Sequence, residues 1–232
     1  MFSEKEKRLR EAICQVARMM YDREMLGGPA GNISARLDEE TILLTPSKPF
    51  KQMLQPDEII RINMQGQKVG PHTFANRDMR PTSEVPMHMA VYRSRPDVGG
   101  CVHGHPRHCI ALTAAGRTIR PHVMTESVLF LGNIGTADYA TPTTQELGDN
   151  VEQVVAQCDC VLLPYHGAIV AGRDVFDACS KLEVLELCAQ INTTIASFGE
   201  EKPLANEHIE DILRLRQEMG MARESDSQLL ED

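Results

Sequence analysis

Apolar residues near the start of the chain recur at helical spacing. Leu9, Ile13, Val16, Ala17 and Met20 fall every three or four positions with charges between them, predicting an amphipathic helix over residues 3–26 that stops at Gly27-Gly28-Pro29. The period then shortens to two. The pattern predicts a hairpin with strands at 32–37 and 41–45 around a turn at Asp38-Glu39-Glu40, a loop at Thr45-Pro-Ser-Lys-Pro49, and a strand over 57–63 before a turn at Gly66. Residues 70–82 carry loop formers and little periodicity. Thr82 or Ser83 is a candidate N-cap for a helix at 84–94, with Met87, Ala90 and Val91 inward.

A strand is expected over 97–105 and a short helix over 106–115, with strand or loop pieces at 118–124 and 127–131. A helix follows at 143–158, capped by Thr143, with Leu147, Val151, Val154 and Val155 inward. Then come an apolar strand at 160–164, a turn at Tyr165-His166-Gly167 into a second strand, a long helix at 175–198, a last helix at 206–220, and a frayed end at 225–232. Short hairpin-like strand groups among helices predict an α/β layered fold whose sheet is mixed or mainly antiparallel. No repeat or linker divides the chain, so residues 1–232 are read as one domain.

Composition narrows the function classes. The formal net charge of -9 with no basic patch argues against a nucleic-acid partner. No apolar run reaches the ~18 residues of a membrane span, and the charged first residues read as a helix start and not as a signal peptide. Seven scattered cysteines in a chain of this size predict free thiols in a reducing cytoplasm. The Cys158-Asp-Cys160 spacing fits buried strand residues better than a metal pair.

The candidate chemistry centres on Gly99-Gly-Cys-Val-His-Gly-His-Pro-Arg-His108. On a strand His103 and His105 leave the same face and could share a metal ion, although two alternating histidines also arise without one. His166 could be a third nitrogen, and Glu84 is an acid at a helix start. Small polar groups beside glycines and prolines, at Asn32, Ser47, Thr82 and Ser83, suit phosphate oxygens as well as ordinary turns.

The ordered set Gly31-Asn-Ile-Ser34, Thr45-Pro-Ser47, Thr82-Ser-Glu84 before a helix, His103-x-His105 and His166-Gly167 after an apolar strand resembles the class II aldolase and adducin-head family. The resemblance covers residues 8–198. It implies a three-layer α/β/α fold with a central, mainly antiparallel sheet, and a homotetramer with active sites at subunit interfaces. It implies one divalent metal held by His103, His105 and His166, with zinc first and manganese or cobalt as alternatives. Glu84 would be the acid–base residue and a further metal ligand when substrate is absent. Asn32, Ser47, Thr82 and Ser83 would bind the phosphate of a small sugar phosphate. The implied reaction is cleavage of a ketose 1-phosphate to dihydroxyacetone phosphate and an aldehyde through a metal-stabilised enediolate. The same site could run a 4-epimerase, a sugar-acid phosphate decarboxylase or a methylthioribulose-phosphate dehydratase. A non-catalytic adducin-like module or a closed structural zinc site stands last.

The chain departs from the family pattern in two places. Lys48 stands where the family's phosphate loop has glycine, and would touch the phosphate or a carboxylate. Val123 follows His122 where a family tyrosine is expected, and residues 199–232 contain no tyrosine. Tyr139 is a possible substitute, and Val123, Met124 and Phe130 would make the aldehyde pocket apolar, favouring a deoxy or methylthio ribulose 1-phosphate.

Overall fold

The computed structural model describes residues 2–199 and 202–231. Seven strands form one sheet: β1 (Asn32–Arg36), β2 (Thr41–Leu44), β3 (Ile60–Asn63), β4 (Gly100–Gly104), β5 (Ile134–Thr136), β6 (Cys160–Leu163) and β7 (Gly167–Gly172). Their order is β3-β2-β1-β4-β7-β6-β5, and every pairing is antiparallel except β5 with β6. Among the described residues, α1 (Glu4–Asp22), α2 (Val85–Ser94), α3 (Arg107–Ala114), α4 (Gln145–Val155) and α5 (Val175–Phe198) flank it, and α6 (Asn206–Glu218) packs on the turns at residues 127–131 and 224–230.

Strand alternation divides the apolar residues between two cores. Ile33, Ala35, Leu43, Val102, Leu162, Ala168 and Val170 pack with α1, α3 and α5 on one face. Ile42, Leu44, Cys101, Val161, Leu163, Ile169 and Ala171 pack with α2 and α4 on the other. The result is the expected three-layer α/β/α arrangement around a mainly antiparallel sheet. Asn32 and Ser34 alternate with Ile33 and Ala35, so they look toward α2 with His103, the β-partner of Asn32.

Several boundaries differ from the sequence expectation. The first helix ends at Asp22, because Met25 and Leu26 turn into the core and the Met25 carbonyl accepts the His105 N–H at 2.8 Å. The expected strand at 57–63 begins as a 3-10 turn at Pro56–Glu58, which the ring of Pro56 and the cap on Gln55 enforce, and is extended only at Ile60–Asn63. Residues 121–123 form a 3-10 turn. The piece at 127–131, expected as strand or loop, is a π-helical turn, its Ser127 hydroxyl accounted for by the Pro121 and Met124 carbonyls. Thr144, not Thr143, caps α4. Strand β5, only three residues long, carries too little pattern to be read from sequence.

The tail is the clearest correction. Residues 224–230 form a 3-10 helix with Ser225, Asp226 and Leu229 buried. Asp226 meets the fully buried Arg216 at 2.7 Å, and the Ser225 hydroxyl donates to the Gln157 carbonyl at 2.7 Å. The expected fraying therefore fails over 225–231, and Asp232 lies outside the described residues. All seven cysteines are buried free thiols, Cys158 and Cys160 included. No helix among the described residues is long and apolar enough to cross a membrane.

Candidate metal centre and anion cleft

Three imidazoles meet at the carboxyl end of β4. His103 and His105 leave β4 and the residue after it on one face, and His166 reaches them from the turn between β6 and β7. That turn is tight. The His166 N–H donates to the Leu163 carbonyl at 3.0 Å, and Tyr165 takes a left-handed backbone at φ 61°. Gly167 must be glycine, since a Cβ there would stand 2.2 Å from the Gly104 carbonyl oxygen. The ring centroids lie 4.7–5.1 Å apart, and one ligand nitrogen from each ring falls within 4.8 Å of the others.

Glu84 enters the same space from the N-terminal end of α2. Its Oε2 is 3.0 Å from His103 Nε2 and its Oε1 is 3.5 Å from His166 Nε2. The donor set fits a divalent cation. His103 Nδ1 lies 2.9 Å from the Ala168 carbonyl, so Nδ1 carries the proton and Nε2 presents a lone pair. That lone pair faces His105 Nε2 at 3.1 Å as well as the Glu84 carboxylate, an arrangement of acceptors that calls for a positive centre among them. Burial holds His105 down at about 3 and His166 at about 4, so both are neutral ligands at neutral pH. Burial pushes the Glu84 carboxyl up, but its close neighbours His103 and His166 and the Asn32 amide outweigh that and bring it down to about 2.

Behind Glu84 runs a polar seam that sequence reading missed. On α2, Glu84, His88 and Tyr92 fall at i, i+4 and i+8 and so share one face; on β1, Asn32, Ser34 and Arg36 fall at i, i+2 and i+4 and also share one. The two rows meet. The Ser34 hydroxyl is 2.9 Å from Tyr92 OH and 2.7 Å from His88 Nδ1, and His88 Nε2 contacts Asn32 Oδ1. Asn32 Nδ2 then reaches Thr82 Oγ1 at 3.3 Å and Glu84 Oε2 at 3.4 Å. One direction of donation satisfies all of them: Tyr92 to Ser34, Ser34 to His88 Nδ1, His88 Nε2–H to Asn32, and Asn32 to Glu84. Complete burial lowers His88 to about 3, which keeps it neutral. The signal was present as helical and strand periods of polar residues, but only the packing of α2 on β1 brings them into register.

A cleft of about 320 Å³ opens beside the imidazoles. It is lined by Asn32, Ser47, Lys48, Thr82, Ser83, Glu84, His105 and His166 from the sequence-predicted set. Gly31 turns at φ +79° to admit the chain, with the Leu26 side chain 2.2 Å from where a Cβ would sit. Lys48 does not stand free in it, because its ammonium pairs with Glu58. Lys51, which the sequence reading did not single out, is buried and lines the cleft too.

The residues expected at the aldehyde end are not in this lining. Val123 and Met124 pack half-buried against the α1/α5 core, and Phe130 lines a separate pocket with Met219 and Met221. Tyr139 is exposed and meets Tyr165 edge to face at 6.0 Å, next in sequence to His166.

Known proteins share this arrangement of chain and fold. L-fuculose phosphate aldolase of Methanococcus vannielii is 30% identical over 186 residues, 79% of this chain and 95% of its own. A 5-deoxy-D-ribulose 1-phosphate aldolase of Bacillus thuringiensis is 27% identical, over 88% of this chain and 93% of its own. A 3-oxo-tetronate 4-phosphate decarboxylase of Cupriavidus necator is 31% identical, over 82% and 86%. A solved L-fuculose 1-phosphate aldolase superposes with a TM-score of 0.82 at 23% identity, covering 94% of this chain and 98% of its own, which establishes the fold. Residues 11–193 match the model of the class II aldolase and adducin N-terminal domain, and the chain belongs to that family.

Proposed function

We propose that the protein is a metal-dependent aldolase that cleaves a ketose 1-phosphate to dihydroxyacetone phosphate and an aldehyde. The observation that carries the reading is the meeting of three imidazole nitrogens within 4.8 Å of one another, two of the rings against the Glu84 carboxylate, beside a cleft lined by Asn32, Ser47, Thr82 and Ser83. His103, His105 and His166 would hold the metal, for which zinc is the first choice and manganese or cobalt the alternatives. Bound there, a divalent ion acts as a Lewis acid toward the substrate's carbonyl and adjacent hydroxyl oxygens.

The chain supplies the rest. Thr82, Ser83 and Ser47 bind the phosphate, joined by the Asn32 N–H that now meets Thr82, so that binding energy far from the scissile bond orients the substrate. Glu84, ionised in the resting site, would take up the proton released by the hydroxyl that becomes the aldehyde carbonyl and return it to the carbon from which the aldehyde departs. Asn32 donates to Glu84 and keeps its carboxylate turned to the reacting carbon. Tyr139, beside His166, is the proposed contact for the aldehyde. A homotetramer with active sites at its subunit interfaces is part of the proposal, whereas Val123 and Met124, packed into the core of their own chain, leave the aldehyde pocket expected of them from sequence. The proposal treats residues 1–232 as one domain, and the free thiols support a cytoplasmic enzyme.

The aldehyde end is proposed to be less polar than lactaldehyde. The absence of the family tyrosines supports this, as does likeness to an enzyme named for 5-deoxy-D-ribulose 1-phosphate. The likeness to the Cupriavidus decarboxylase supports a second reading, loss of carbon dioxide from a 3-oxo acid phosphate on the same residues. A screen of ketose 1-phosphates with each metal, coupled to detection of dihydroxyacetone phosphate, decides between them. Dihydroxyacetone phosphate from a 5-deoxy or methylthio ribulose 1-phosphate supports the aldolase. Carbon dioxide from the 3-oxo acid phosphate, with no dihydroxyacetone phosphate from any ketose, replaces it with the decarboxylase. Faster turnover of fuculose 1-phosphate than of the deoxy sugars overturns the apolar aldehyde end.

A further inference from the structure

We propose that Lys51 supplies the positive charge that holds the substrate's phosphate, a task that neither Lys48 nor the neutral donors around it can perform. The proposal rests on reading the cleft as a sugar-phosphate site. Two lysines line that cleft. The charge of Lys48 is answered by Glu58, whose other oxygen caps the Gln55 N–H at 2.9 Å, so this ion pair is built into the 3-10 turn below it. Lys51 differs in kind. It is only 4% exposed, and its ammonium donates to two backbone carbonyls, Pro29 O at 3.0 Å and Lys48 O. Among the described residues no carboxylate lies within ion-pairing distance of it.

An ammonium has three N–H donors and a full charge. Two donors are used here, one is left, and the charge is uncompensated. A buried cation without a counter-ion is costly, and burial lowers the pKa of this one. The same side chain opens onto a cleft lined by Ser47, Thr82, Ser83 and Asn32, all neutral donors. An arriving phosphate monoester would meet the spare N–H and supply the missing charge. Of the two carbonyls that Lys51 holds, that of Lys48 belongs to its own loop and that of Pro29 to the loop before β1, so the cation also ties these two cleft-lining segments together. Strand and loop patterns gave no hint of this, because Lys51 sits in a short 3-10 turn with no periodicity of its own.

The test compares metal-loaded wild type with Lys51→Met, which keeps the chain length and removes charge and donors, and with Lys51→Arg, which keeps the charge. Binding of inorganic phosphate is followed by calorimetry, and KM and kcat are measured with the phosphorylated ketose. Lys51→Met is expected to weaken phosphate binding at least tenfold and to raise KM by a similar factor with a smaller change in kcat. Lys51→Arg should stay within a few-fold of wild type. Phosphate binding by Lys51→Met at wild-type strength overturns the proposal, as does a wild type that binds no phosphate. Should Lys51→Met fail to fold, reductive methylation of wild type read by peptide mass spectrometry replaces it. Phosphate must then slow modification at Lys51, and absence of protection overturns the assignment. A wild type that binds phosphate through Lys51 yet forms no product from any ketose 1-phosphate defeats the aldolase reading and leaves this site standing.

Discussion

Replacing His88 by leucine tests whether the buried seam behind Glu84 positions the cleft. Leucine removes both ring nitrogens. Asn32 Oδ1 then loses its donor and the Ser34 hydroxyl loses the acceptor for its proton, while Tyr92 can still donate to Ser34. Each unmet buried group costs about 1–3 kcal/mol. The apolar gain of leucine offsets about 1 kcal/mol of this, so His88→Leu should be less stable than wild type by about 1–5 kcal/mol. The released Asn32 amide can turn, ending its donation to Thr82 and Glu84. Loss of one such bond in the reacting complex corresponds to roughly a tenfold fall in kcat/KM. Urea denaturation of the metal-free protein gives the first number, and kcat/KM on the ketose phosphate that the screen identifies gives the second. His88→Gln, whose amide can donate to Asn32 and accept from Ser34, should recover most of both. A leucine variant within about 0.5 kcal/mol of wild type and of unchanged kcat/KM would refute the seam's role.

Three further outcomes are expected. Glu84→Gln keeps the size of the side chain and removes its basicity, so kcat should fall about 10²–10⁴-fold with metal content by elemental analysis near wild type; retained turnover would move proton transfer to another group. Metal-free protein should lose stability as pH falls from 6.5 toward 4. Burial sets the folded pKa values of His88, His105 and His166 at about 3, 3 and 4, below the unfolded 6.5, so in this window the unfolded chain takes up protons that the folded one refuses. Three protons at about 1.4 kcal/mol per pH unit each set a ceiling of about 4 kcal/mol per unit. The stability held by Glu84, whose pKa falls from 4.5 to about 2, is lost only as pH falls below 4.5, and denaturation curves flat between pH 6.5 and 4.5 would contradict the histidine assignment. Finally, Arg216→Ala strands the buried Asp226 carboxylate and frees the Leu129 and Leu131 carbonyls, so it should cost about 3–5 kcal/mol and expose the tail to limited proteolysis; an intact, protease-resistant tail would show that other contacts hold it.

The long amphipathic helices and the apolar strands were legible because their periods are set by local geometry. Residues 9–20 repeat every three to four positions and become α1, and the apolar runs at 160–163 and 168–171 become the central strands β6 and β7. The short elements were not. Ile134–Thr136 becomes a strand only because Cys160–Leu162 lies beside it, and residues 127–131 coil because Arg216, 85–87 positions away in sequence, takes their carbonyls. The tail follows the same rule: its polar sequence looks frayed until Asp226 meets Arg216.

The sequence by itself determined the order of motifs and the chemistry they can carry. Alternation put His103 and His105 on one face, and the apolar strand before His166 brought that residue to the same end of the sheet. Tertiary structure alone decided how charge is distributed around them. A lysine in the family's glycine position is open to a phosphate or a carboxylate until folding sets Glu58 against it, and Lys51, which no motif marks, becomes a buried cation without a counter-charge only once the chain has folded. The difference is physical. Period and residue type fix which side chains share an element's face, whereas desolvation and ion pairing depend on what the remainder of the chain packs against that face.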